Sequence, residues 1–148
     1  MKFDQITIHI MQQIEQFMEE KMNNIISLIG RILLTLIFLL SGFQKIPNFS
    51  GTKQYMSAAG MPLVDLFLVA AIIIEIVGAI LIMIGFKTKW AALVLIIFMI
   101  PTTLIFHTNF SEKIQMIMFL KNLSMIGGLL MIAAFGGGDW SLDARKKK

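Results

Sequence analysis

Apolar residues in this chain fall into four long blocks, at about 25–44, 63–86, 90–107 and 114–135. At about 1.5 Å of rise per residue, each block is long enough to cross a hydrocarbon layer of about 30 Å. The pattern predicts four membrane-spanning helices. Ahead of them, in residues 1–24, apolar positions recur at helical spacing: Ile10, Met11, Ile14, Phe17, Met18 and Met22. Glu15, Glu19, Glu20 and several Gln fill the other face. This predicts a separate amphipathic helix at the interface, with an acidic polar face. A second reading starts the natural protein at Met22, since MNNIISLIGRILL already leads into a first span.

Two of the three connections are short. The exception, residues 45–62, holds Pro47, Gly51, Gly60 and Pro62, which interrupt regular structure, and leaves room for a surface helix over 52–59. GFKTK between the second and third spans predicts a tight turn with Gly85 as C-cap. Ser111 reads as the N-cap of the last span. Pro101 lacks an N–H and predicts a kink in the third span.

Lys and Arg orient the bundle. Four crossings place Lys2, Lys21, Arg31, Lys87, Lys89, Arg145, Lys146, Lys147 and Lys148 on one side, and only Lys45, Lys53, Lys113 and Lys121 on the other. The richer side is cytoplasmic by the positive-inside rule, so both termini are cytoplasmic. Residues 144–148 form a basic cytoplasmic tail, and Trp90 and Trp140 fall near the inner interface. The fold class is therefore an all-α integral membrane four-helix bundle over residues 25–143.

Composition narrows the function. With 57% hydrophobic and 15% charged residues, the chain's natural partner is the lipid bilayer, and its net charge of +4 serves the lipid face rather than nucleic acid. It has no cysteine and two histidines, His9 and His107. Thiol chemistry, Fe–S ligation and a His-ligated metal site are not expected.

The informative residues are the charges inside the spans, each costly at mid-bilayer without a partner or water. Arg31, Thr35, Phe38, Gly42 and Lys45 lie within about 80° of arc on the first span, a face that should point inward. Glu75 sits near the middle of the second span, flanked by Ala71, Gly78 and Ala79, which let a helix approach closely. Arg31 is its first candidate partner and Lys121 the alternative. His107 falls at the outer end of the third span. Lys121 lies on the fourth, beside Asn122, Gly127 and Gly128. Together Arg31, Lys45, Glu75, His107, Lys121 and Asn122 outline an intramembrane polar pocket. It suits an acidic or carbonyl-rich ligand such as a quinone head group, or an anionic lipid. Gly42, Gly78, Gly127 and Gly128 are the candidate helix-packing positions.

The segments GRILLTLIFLLSGFQKI, IIIEIVGAILIMIGFKTKWAAL, FHTNF, FLKNLSMIGGLLMIA and GGGDWSLD resemble, in that order, the DoxX family of small four-helix bacterial inner-membrane proteins. The resemblance covers about residues 25–143. It implies the same bundle and selects Arg31, Gly42, Lys45, Glu75, Gly78, Gly85, His107, Lys121, Asn122, Gly127 and Gly128. It also implies a redox association, since relatives include a subunit of thiosulfate:quinone oxidoreductase. Three functions follow: a quinone-binding membrane subunit served by a partner redox protein, a non-catalytic scaffold or lipid-binding protein, and a small-solute or proton transporter, whose pore would call for a homo-oligomer.

Overall fold

The structure, a computed structural model, describes residues 2–145, with side chains from Gln5 onward. Lys146, Lys147, Lys148 and the Lys2 side chain, all counted above as cytoplasmic charges, lie outside the described residues, as does most of the expected tail at 144–148. The chain folds as α1 (Lys2–Lys45), α2 (Phe49–Ala58), α3 (Val64–Ile84), α4 (Thr88–Phe106), α5 (Lys113–Phe135) and the short α6 (Leu142–Arg145). Among the described residues, four helices, namely α1, α3, α4 and α5, are long and apolar enough to cross a membrane. The predicted bundle is present, with α3, α4 and α5 within two residues of the expected spans.

The segment ahead of the first span is not a helix apart from it: from Lys2 onward α1 is one continuous helix of 44 residues. No proline occurs before Pro47, and Gly30 alone costs a helix only about 1 kcal/mol. At about 66 Å, α1 is roughly twice as long as the hydrocarbon layer is thick. Residues 5–23 are all exposed, extending beyond the bundle.

Within the bundle the inward face of α1 follows the predicted stripe. Arg31, Thr35, Phe38 and Gly42 are buried and Lys45 half-buried. Opposite them α3 buries Leu68, Ala71, Glu75, Gly78, Ala79 and Ile82. The core closes with Leu95, Ile96 and Met99 of α4 and Leu129 of α5. Glycines set the helix separations. A Cβ on Gly42 would lie 2.6 Å from Ile76 Cγ1, one on Gly78 would lie 3.0 Å from Leu95, and one on Gly128 would lie 3.1 Å from Leu34. Gly127 faces open space, so the packing role expected of it is not present.

The Gly42 contact also fixes the height of α1 against α3. Gly42 is level with Glu75 and Ile76, so Lys45 is level with about position 72. From there α3 continues for eight residues, and α1 stops about 12 Å short of its outer end. Helix α2 fills that space, packed on α3 with Met56 buried and Tyr55 stacked on Phe106 at 5.1 Å. The surface helix expected at 52–59 is this element, drawn inward by its apolar side.

At the inner end Gly85 caps α3 as predicted, with φ of 74° and the Phe86 N–H bonding Leu81 O at 2.9 Å. Ser111 does not cap α5. Glu112 takes that position without a side-chain cap, and its Oε1 accepts from Asn109 Nδ2 at 3.1 Å.

Candidate functional site

The polar residues expected to share one pocket occupy two places. The inner one is built around Arg31. Its guanidinium does not meet Glu75, which corrects the predicted pair. Nη1 donates to Ile82 O at 3.2 Å and Met83 O at 3.5 Å, and Nη2 donates to Trp140 O at 2.8 Å. The cause is height: Arg31 is level with the last turn of α3, where carbonyls have no partner in the regular helix ladder, Ile82 O being shared with the Gly85 N–H, and carry the negative end of the helix dipole. Residues 136–141 wrap over this point. Ser27 donates to Gly137 O at 3.2 Å, and Asn24 Oδ1 accepts from the Asp139 N–H at 3.2 Å. The Asp143 carboxylate then accepts from Lys87 N at 2.7 Å and from Thr88 N and Oγ1, both at 2.8 Å. It caps α4 and holds Lys87, whose φ is 46°, in the left-handed region. A Cβ at Gly85 or Gly137 would collide with Ser141. The inner cluster is a clasp, built to join α1, α3 and α4 to the end of the chain.

The outer place is a cavity of about 930 Å³ between the outer halves of α1, α3, α4 and α5, with α2 along its outer rim. Lys45, Glu75, His107, Lys121 and Asn122 all line it, and Arg31 does not. Glu75 pairs with Lys45: Nζ donates to Oε2 at 2.7 Å and to Oε1 at 2.9 Å. Ser41, one turn before Lys45, joins them. Its Oγ accepts from Nζ at 2.6 Å and donates to Glu75 Oε1 at 3.2 Å. The pair is enclosed, with 21% of the Lys45 side chain and 7% of the Glu75 side chain exposed.

Further polar groups rise from this triad toward the outer surface. Asn122 Nδ2 donates to Thr103 Oγ1 at 3.1 Å, and Thr103 donates to Met99 O at 2.7 Å. Nearer the surface His107 Nδ1 lies 2.8 Å from Gln115 Oε1. Lys121 does not reach Glu75. It is exposed, its Nζ contacts Met118 Sδ at 3.1 Å, and it forms no ion pair among the described residues. The rest of the wall is apolar, including Ile37, Phe38, Ile74, Phe98 and Met125. Toward the cytoplasm the core of Phe38, Ile82, Leu95, Met99 and Leu129 blocks any continuation. The site is a blind chamber with charge at its floor.

Sequence reasoning missed Ser41, Thr103, Tyr55 and Asp143. Ser41 was detectable, since it stands four residues before Lys45 on the same helix face. Asp143 lies in GGGDWSLD, but nothing local says which helix it caps.

A family model described as DoxX matches residues 26–108. The chain belongs to the DoxX family. Among DoxX relatives, it is 40% identical over 124 residues to the inner membrane protein YqjF of Escherichia coli (strain K12), covering 84% of this chain and 94% of that protein. It is 39% identical over 126 residues to the inner membrane protein YphA of the same organism, covering 82% and 90%. The ER-derived vesicles protein ERV29 of Saccharomyces cerevisiae is 34% identical over 108 residues, 64% of this chain and 35% of that protein. No solved structure matches significantly. With its four apolar helices, this DoxX protein is a small multi-pass protein of the bacterial inner membrane.

Proposed function

We propose that this DoxX protein is the membrane subunit of a redox system and holds a quinone head group in the outer chamber. One observation carries the reading: an apolar chamber, of a size usual for ligand sites, whose floor is an enclosed Lys45–Glu75–Ser41 triad. A quinone offers two carbonyl oxygens on an apolar ring and tail, and it supplies two-electron chemistry coupled to protons. The chain's residues suit the head group. The Lys45 ammonium and Ser41 hydroxyl are donors at the floor, and Asn122 is an amide on the wall above. Glu75, hydrogen-bonded to both Lys45 and Ser41, is a proton acceptor next to where a carbonyl oxygen would rest. Ile37, Ile74 and Met125 exclude water from the ring. The protein, without cysteine, takes its electrons from a partner in this reading.

The test is extraction and binding. Protein purified in native lipid is analysed for co-purified quinone, and unfolding is followed with and without a short-chain quinone. The expected result is bound quinone at substoichiometric or higher level and a rise in Tm of several degrees, both lost in Asn122→Leu. No quinone and no shift would remove the reading. A chamber that instead returns phospholipid favours the lipid-binding scaffold. Transport is less favoured, because the core blocks the inner half.

A further inference from the structure

The side of α1 that faces away from the bundle carries a single unbroken apolar stripe. Met11, Ile14, Met18, Met22, Ile25, Ile29, Leu33, Leu36, Leu40 and Phe43 follow at steps of three and four, and all are exposed, from 38% at Ile25 to 66% at Leu33. At 100° per residue they fall within about 100° of arc, opposite the Arg31–Lys45 face that packs on α3. From about Ile25 outward the stripe faces lipid and needs no explanation. From Met11 to Met22 the same stripe continues on the part of α1 that projects beyond the bundle, where large apolar side chains in a row require cover.

We infer that this stripe is the interface of a parallel two-fold dimer, α1 against α1 of a second copy. Three observations select that occupant. The stripe keeps one direction through the membrane and beyond it, so its partner must do the same. A parallel α1 does so automatically. The charges beside the stripe are self-complementary. Glu15 and Glu19 stand on one flank and Lys21 on the other. A two-fold axis along the helices brings the Lys21 flank of each copy against the carboxylate flank of the other. The size is adequate: from Met11 to Phe43 is about 48 Å, and a helix face about 10 Å wide gives on the order of 1,000 Å² over both copies, the lower end of specific interfaces. The membrane surface suits the segment less well, because Glu15 and Glu19, beside the stripe, would face anionic head groups.

The chain has no cysteine, so single cysteines report cleanly. Met11→Cys, Met18→Cys and Leu36→Cys are compared with Gln13→Cys and Gln16→Cys, on the far face, by oxidation of the full chain in native membranes. The inference expects dimer bands from the first three, at least tenfold more intense than from the Gln positions. It also expects a dimeric mass in nanodiscs that falls to a monomer in Met18→Glu. Equal bands on both faces, no bands on the stripe, or a monomeric wild type would overturn it. So would burial in lipid of a fluorescent probe at Met18→Cys, which assigns the stripe to the membrane surface.

Discussion

Arg31 and Lys45 lie on the same face of one helix, yet their chemistry differs. Arg31 is 2% exposed and its hydrogen bonds among the described residues go to main-chain carbonyls, whereas Lys45 holds a carboxylate in the chamber. Arg31→Met leaves the last turn of α3 and Trp140 O without their donor, and costs about 3 kcal/mol by denaturant unfolding. Arg31→Lys also loses stability, because an ammonium cannot fork to two elements as a guanidinium does. Neither change alters ligand affinity in protein that remains folded. At the triad the prediction is non-additive. Lys45→Met alone leaves Glu75 enclosed without a cation, and costs roughly 3 kcal/mol or more. The double variant Lys45→Met, Glu75→Gln recovers a good part of that, with a coupling of about 1–3 kcal/mol in a double-mutant cycle. Additive losses would mean that the two residues do not act as a pair.

The helices themselves were legible from hydropathy, because a bilayer demands long apolar segments and leaves little freedom in where they end. The inward face of α1 was legible too, since its polar residues recur at helical spacing. What hydropathy cannot supply is relative height. Arg31 and Glu75 are both polar and both in the membrane, and the Gly42–Ile76 contact shows that Glu75 lies within one turn of Lys45 and about three turns from Arg31. The continuity of α1 was hidden for a related reason. A change from a water-facing to a lipid-facing surface alters composition without breaking a helix, and Asn23 and Asn24 look like a boundary in sequence alone. The glycines test these contacts. Gly42→Val forces α1 away from α3 and costs about 1–3 kcal/mol. Gly127→Ala, in open space, is neutral or slightly stabilising by helix propensity. Thermal unfolding in detergent separates the two.

At the scale of the molecule, the inner half is packed and clasped while the outer half is hollow. The Lys and Arg distribution puts the clasp in the cytoplasm. Alkaline phosphatase fused after Lys148 is therefore inactive and a fluorescent-protein fusion there is bright. A cysteine at Asn109 is labelled from outside by a membrane-impermeant maleimide. The opposite pattern would invert the chamber. This division also places the chamber and the clasp in separate leaflets, so that variants of the Lys45–Glu75 pair leave the clasp intact.

The clasp has a consequence for synthesis. Arg31 is among the first membrane residues to leave the ribosome, and its bond to Trp140 O joins positions 109 apart in the chain. At about 5–20 residues per second, the first span holds an unsatisfied guanidinium for roughly 5–20 s before the residues that complete its site have been made. The loop after α5 thus finishes α1, made more than a hundred residues earlier. A chain that stops before Gly136 would present a membrane quality-control protease with four spans and an open lock, and rapid turnover of such truncations is the expected sign.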